Sequence, residues 1–310
     1  MNEAPGGRRR VFLTGGTGFV GGHVARRLAQ RGHTVRALVR DAGSAAVLRE
    51  LGFELVEGSL PDDLPDGALD GCEAVVHLVG IIRERPPQTT FERIHIQGTR
   101  RMVEGSMKSG VGKFVHMSAL GADPEGTTYE RTKYEAEELV RRSELPHVTF
   151  RPSVIVGEGG EFTGLLLRIV RYAPVIPVIG DGAYRLQPLD VKDVAEAFVQ
   201  AAEREDLTDE SFDLGGPHKL TYNRVLEIVC EELGLKRRTV SVPLSLVRPL
   251  VDLASSWRLP TPITSEELTM LLSENVIPGE GTRWREAFHI EPTPLRNVIR
   301  RLTEDDGGGA

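Results

Sequence analysis

The chain has 310 residues, 40% hydrophobic and 27% charged, with a formal net charge of -7. That much apolar material can fill the core of one large domain or a domain with a lobe, which excludes a disordered chain. An acidic balance of mixed charges offers no basic stripe for a phosphate backbone, so nucleic acid is not an expected partner. Cys72 and Cys230 lie far apart without a CxxC neighbour. No metal site or disulfide framework is expected, and both read as buried thiols in a reducing compartment. MNEAPGGRRR leads directly into a strand-like segment, and no eighteen-residue apolar run occurs. The expectation is a cytoplasmic protein with no transmembrane segment, with peripheral attachment at the inner face of a membrane left open.

In chain order, VFLTG (11 to 15), TVRALV (34 to 39), FELVEG (53 to 58), EAVVHLV (73 to 79), KFVHMS (113 to 118) and HVTFRP (147 to 152) are short apolar runs that predict six strands. GFVGGHVARRLAQRG, SAAVLRELG, TTFERIHIQGTRRMVEGSMKSG and YERTKYEAEELVRRS lie among them with helical spacing of apolar residues. Gly32, Gly52 and Gly112 fall where each helix must turn into a strand. Strand and helix alternation with β-branched strands predicts an α/β fold, a doubly wound parallel sheet of the Rossmann kind covered on both faces. After Arg151 Pro and Gly cluster, and helices are expected at 190 to 204, 221 to 235 and 294 to 303. The expected division is a dinucleotide-binding domain over 9–150, a smaller C-terminal α/β lobe over 151–304 interleaved with the sheet, and a disordered tail over 305–310.

TGGTGFVGG (14 to 22) links the first strand to the first helix with Gly15, Gly18 and Gly21 spaced GxxGxxG. Such a turn lets backbone approach a pyrophosphate and aims helix N-terminal amides at its charge, and Thr17 adds a hydroxyl. A tight turn serving packing alone is the competing reading. At the end of the second strand, where NAD sites place a carboxylate, the register puts Val39, followed by Arg40. A cation there suits a 2′-phosphate, which favours NADP with NAD as second choice, against a merely solvated arginine. Glu57, Gly58, Ser59 and Leu60 would reach the adenine edge, and Leu78, Val79 and Gly80 would pass beneath the nicotinamide.

Tyr129 and Lys133 stand four residues apart on one helix face that continues through Ala136 and Val140, while Glu130, Arg131, Glu137 and Glu138 lie opposite. The pair therefore points inward. A lysine beside a phenol lowers the tyrosine pKa towards acid/base work, whereas a packed tyrosine with a snorkelling lysine is the bland alternative. Ser118, at the end of the fifth strand, is placed to hold a substrate oxygen or simply to end that strand.

With the glycine turn, Ser118 and YxxxK in place, the chain resembles the short-chain dehydrogenase/reductase superfamily in its extended or atypical, NAD-dependent epimerase/dehydratase branch. The blocks VVHLVGIIRE, FERIHIQGTRRMVEGSMKSGV, HMSALGADPEGTTYERTK, FRPSVIVGEGGEF, LQPLDVKDVAEAF and FDLGGPHKLTYNRVLEIV are similar to bacterial relatives of the nucleotide-binding accessory subunit of respiratory complex I. The resemblance implies that Gly15, Thr17, Gly18, Phe19 and Val20 hold the pyrophosphate and Arg40 the ribose phosphate. It assigns Tyr129 and Lys133 to the nicotinamide ribose and catalysis, and Pro152, Ser153 and Val154 to the carboxamide. Three positions depart from the pattern: Ser59 replaces an aspartate against adenine, MSAL replaces a run of hydroxyl residues, and His95 replaces an asparagine.

Two functions follow from this reading. One is an NADP-dependent oxidoreductase or epimerase moving hydride at a carbonyl or alcohol carbon of an unspecified small molecule, with Tyr129 as acid/base, Lys133 tuning it and Ser118 orienting the oxygen. The other is a non-catalytic dinucleotide-holding structural or redox-sensing subunit on a respiratory or quinone-related complex. SVPLSLVRPLVDLASSWRLPTPITSEELTMLL (241 to 272) is fit for a substrate lid or an apolar docking surface, and Arg185, Gln187 and Asp190 are pocket candidates.

Overall fold

β-Branched and aromatic runs bounded by glycine form strands because such side chains fill a pleated, two-sided core. In the computed structural model, which describes residues 7–249 and 265–307, these runs become β1 (Arg10–Thr14), β2 (Thr34–Val39), β3 (Glu54–Glu57), β4 (Ala74–His77), β5 (Lys113–Met117) and β6 (His147–Pro152). Four short strands follow, β7 (Ile155–Val156), β8 (Val175–Ile179), β9 (Arg185–Leu186) and β10 (Leu189–Asp190), before β11 (Glu210–Leu214) returns to the main sheet. The sheet has seven strands in the order β11-β6-β5-β4-β1-β2-β3, every pair parallel. The order reverses at β1. Ligands in open α/β sheets bind at such a switch point, beyond the carboxyl ends of the strands.

The helices are α1 (Phe19–Gln30), α2 (Ala46–Glu50), α3 (Gly98–Lys108), α4 (Thr128–Arg141), α5 (Glu161–Tyr172), α6 (Val191–Glu203) and α7 (Tyr222–Glu232). Phe12, Val75 and Phe114 share one cluster with Met102 and Val103 of α3 and Val140 of α4. Their strand neighbours Val11, Leu13, Val76 and Val115 are equally buried, so both faces of the sheet are covered. One register step towards the carboxyl edge, Thr14, His77, His116 and Thr149 stand in line across β1, β4, β5 and β6, all buried. This polar row lies directly beneath the carboxyl edge of the sheet.

Several local expectations change. Gly32 and Gly52 adopt φ of +77° and +78°, but after α3 it is Gly110, φ +68°, that turns the chain, not Gly112. The helix expected over 44 to 52 shortens to α2 behind a 3-10 turn at Ala42–Ser44, because Asp41 caps that turn by accepting from the Gly43 amide at 2.9 Å. The segment ahead of α3 is wound as a π-type turn, Glu92–Gln97. Cys72 is buried, whereas Cys230 is only half-buried. The last helix runs Leu295–Gly307, into the segment expected to be a tail.

The chain divides into two compact units. The first comprises the chain through Pro152 together with Val191–Leu214 and Thr282–Ile290; the second comprises Ser153–Asp190, Gly215–Gly281 and the chain from Glu291. In the second unit β7 pairs β10, β9 pairs β12 (Leu220–Thr221) and β8 pairs β13 (Arg238–Val242). Its core joins Leu166 and Val170 of α5, Val225 and Val229 of α7, and Val298 and Ile299 of the last helix.

Candidate functional site

The glycine turn is dictated by what surrounds it. Gly15 has φ +74°, and a Cβ there would lie 3.0 Å from the Leu78 carbonyl carbon; a Cβ on Gly21 would run into the Gly15 carbonyl oxygen. Gly21 therefore lets α1 close on the loop, while Gly15 lets the loop close on the chain leaving β4. Gly18, the N-cap of α1, is extended and supplies no side-chain cap, so the amides of that helix start are not taken by a capping side chain. Thr17 and Gly18 are exposed, Phe19 is half-buried edge-on to His23, and Val20 turns its side chain into the core. An uncapped helix start with its positive dipole end fits a pyrophosphate.

Around this turn the strand ends arrange the other residues. Arg40 follows β2 as an exposed cation, and the Asp41 carboxylate beside it is turned onto Gly43. Glu57, opposite Val39 at the end of β3, accepts from the Ala42 amide at 3.1 Å. Ser59 is half-buried and Leu60 buried. Leu78 and Val79 are half-buried and Gly80 is exposed; a Cβ on Gly80 would stand 3.6 Å from Lys133 Nζ and 3.7 Å from His95 Nε2.

α4 brings in Tyr129 and Lys133. A capping box starts it: the Thr127 hydroxyl accepts from the Glu130 amide at 3.4 Å and the Glu130 carboxylate accepts from the Thr127 amide at 2.7 Å. The T-x-x-E of residues 127 to 130 is the sequence signal of this box. Lys133, Ala136 and Val140 are buried as the spacing predicted, and Tyr129 is half-buried. Glu137, expected on the solvated face, is buried too: its carboxylate accepts from Arg151 Nε at 2.9 Å and Nη2 at 2.5 Å, and this paired charge ties α4 to β6. Lys133 Nζ donates to the Met117 carbonyl at 2.7 Å, which sets the ammonium next to Ser118 in sequence. Ser118 is 2% exposed, and among the described residues its hydroxyl has no hydrogen-bond partner.

The electrostatics correct one expectation. Burial pushes the Tyr129 phenol up to about 12, with the Glu130 charge adding, so Lys133 does not lower it. Burial also brings Lys133 down to about 8, against a small opposing pull from Glu137. Beneath them His77 holds Thr14 Oγ1 at 2.8 Å and Thr99 Oγ1 at 3.2 Å, and burial together with Lys133 lowers it to about 3. His116 stacks on His77 with centroids 5.6 Å apart, and neither of its ring nitrogens has a partner among the described residues.

Pro152 ends β6 and is buried. In the second unit the Ser153 hydroxyl donates to the Gln187 carbonyl at 2.5 Å, and the Val154 amide donates to Asn275 Oδ1 at 3.0 Å. Gln187 is fully used there, donating to Gly216 O and accepting from Ile277 N–H. Asp190 pairs with Arg301, and exposed Arg185 with Glu274. Of the segment 241 to 272, residues 250–264 lie outside the described residues.

A parallel sheet reversing at β1, a glycine turn onto an uncapped helix and a tyrosine and lysine on the helix after β5 define a Rossmann-type nicotinamide dinucleotide-binding protein. The chain belongs to the NAD dependent epimerase/dehydratase family, whose pattern matches residues 11–215. It is 28% identical over 302 residues to the mitochondrial NADH-ubiquinone oxidoreductase 40 kDa subunit of Neurospora crassa, covering 94% of this chain and 78% of that one. It is 29% identical over 292 residues to the ceramide reductase of Caulobacter vibrioides, covering 92% and 86%. The crystal structure of gox2253 superposes with a TM-score of 0.75 at 26% identity, covering 97% of this chain and 99% of that one. Relatives thus include both a reductase and a respiratory-complex subunit. Among the described residues no helix is long and apolar enough to cross a membrane.

Proposed function

We propose that the protein is an NADP-dependent oxidoreductase or epimerase acting at a carbonyl or alcohol carbon. The observation that carries this reading is the Ser118 hydroxyl, 2% exposed and without a partner at the carboxyl end of β5. A buried hydroxyl left unpaired costs roughly 1–3 kcal/mol, and a ligand oxygen would relieve that cost. The dinucleotide, when bound, supplies or accepts the hydride. Tyr129 is protonated at neutral pH, as any phenol is, and burial, which pushes it up to about 12, holds it more firmly in the form that donates a proton to a carbonyl oxygen during reduction. Lys133, anchored on Met117 O, places a cation beside that oxygen and the nicotinamide ribose. Gly15, Thr17, Gly18 and the start of α1 take the pyrophosphate, and Leu78, Val79 and Gly80 form the floor under the nicotinamide.

Arg40 supports NADP over NAD, since the neighbouring Asp41 carboxylate is occupied by Gly43. A charge-assisted contact to the 2′-phosphate contributes about 1.5–3 kcal/mol, so NADPH should bind roughly 10- to 100-fold tighter than NADH and Arg40→Ala should close most of that gap. Equal affinities in the unaltered protein would remove the assignment to NADP. With NADPH and a panel of carbonyl compounds, Tyr129→Phe should lower turnover by about 100-fold or more while leaving NADPH affinity in place. Turnover surviving in that variant would sink the acid/base role.

The likeness to the 40 kDa subunit favours a second reading, a non-catalytic subunit that holds the dinucleotide while seated on a respiratory or quinone-related complex at the inner face of a membrane. Tight NADPH binding with no turnover of any carbonyl in the panel would select it.

A further inference from the structure

His95 lies in the π-type turn Glu92–Gln97, 1% exposed, stacked on Phe91 with centroids 5.3 Å apart and edge-on to Tyr129 at 5.6 Å. Its two ring nitrogens reach two different segments. Nδ1 lies 3.0 Å from the Thr132 hydroxyl, and Nε2 lies 3.1 Å from the Ile81 amide nitrogen and 3.0 Å from the Ile81 carbonyl oxygen. The Thr132 hydroxyl, with its single proton, also lies 3.0 Å from the Tyr129 carbonyl. With the ring proton on Nδ1, His95 donates to that hydroxyl and Nε2 accepts from the Ile81 amide; with it on Nε2, the ring donates to the Ile81 carbonyl and Nδ1 accepts from the hydroxyl, so either tautomer ties Ile81 to Thr132. A continuous chain results, from the Ile81 backbone through the His95 ring to the Thr132 hydroxyl and the Tyr129 carbonyl. At its other end Gly80, the residue before Ile81, faces Lys133 Nζ and His95 Nε2. Burial, with Lys133 nearby, lowers the imidazole to about 3, so the ring stays neutral near neutral pH.

We propose that His95 is a positioning residue that locks the Gly80–Ile81 backbone to the first turn of α4, holding the nicotinamide floor and Tyr129 in one geometry. The proposal rests on the reading of this site as dinucleotide-binding. A neutral imidazole suits the task because it carries a donor and an acceptor on opposite edges of a flat ring that also stacks on Phe91. An aliphatic side chain would leave the Ile81 backbone without this partner.

The test compares the full-length protein with His95→Phe, which keeps the stacked ring and removes both hydrogen bonds, and with His95→Gln, whose amide offers a donor and an acceptor. NADPH affinity and hydrogen exchange of the peptide containing Gly80 and Ile81 are measured for each. His95→Phe should weaken NADPH binding about tenfold and accelerate that exchange, and His95→Gln should restore binding to within about threefold. Thr132→Val should reproduce the loss, and combined with His95→Phe it should add little, since both interrupt one chain. Binding within twofold and unchanged exchange in His95→Phe would overturn the proposal, as would a loss that His95→Gln does not restore. If the unaltered protein binds neither NADPH nor NADH, the dinucleotide reading fails, and the exchange comparison alone decides whether the lock exists. If His95→Phe does not fold, Thr132→Val against the unaltered protein decides the same question.

Discussion

The residue that separates function from stability most cleanly is Ser118. Its buried hydroxyl is unpaired, so Ser118→Ala should leave stability unchanged or raise it by about 1 kcal/mol, read from denaturant unfolding. The same change should lower turnover at least about tenfold if the hydroxyl orients a substrate oxygen; a stability loss with unaltered turnover would give Ser118 a purely structural part. Tyr129 and Lys133 were legible from sequence as an inward pair, because Ala136 and Val140 continue their stripe. Glu137 was not legible, since its guanidinium partner Arg151 sits on β6, fourteen residues away and on another element. Nor was the direction of the Tyr129 shift. Sequence shows that a lysine is near, but only the packed site shows that desolvation, with Glu130 adding, raises the phenol.

At the scale of elements, α4 carries the site, and its start is set by the Thr127 and Glu130 capping box. Thr127→Ala should destabilise the protein by about 1 kcal/mol, a fall of roughly 2–4 °C in thermal midpoint for a chain of this size. If NADPH affinity falls with it and excess ligand brings both back, the helix start is coupled to the site. An unchanged midpoint would show that the tertiary contacts of α4 make the cap redundant. The central strands β1, β4 and β5 were readable as short runs rich in buried residues, as strands covered on both faces are, and edge strand β3, ELVE, by its place between a helix glycine and the next turn. β11 was not. ESFDL alternates charged or polar residues with Phe212 and Leu214, and it becomes a strand because the exposed edge of β6 offers it a ladder. The π-type turn before α3 was also hidden, since ERIHIQ has ordinary helical spacing.

At the scale of the whole molecule, three buried histidines set the response to acid. His77 and His95 are lowered to about 3, and His116 is lowered as well, each chiefly by burial with Lys133 adding. Between about 6.5 and about 3 the unfolded chain takes up protons that the folded protein refuses at these histidines, so their share of the stability is complete above pH 6.5 and falls as pH drops through that window. The slope should reach about 1.4 kcal/mol per pH unit for each histidine. Urea unfolding of the unaltered protein and of His116→Phe at several pH values checks this: the variant should lose about one proton of dependence, and identical slopes would show His116 to be protonated in the fold. The sequence by itself determined the first six strands and the helices among them, the glycine turn and the inward Tyr129 and Lys133 pair, because local periodicity and backbone geometry are written in short windows of residues. Tertiary structure alone decided that β11 closes the sheet edge, that Arg151 neutralises Glu137, that Lys133 meets Met117 O and that Ser118 is left unpaired. These depend on which distant segments share one low-dielectric interior, and no local pattern encodes that.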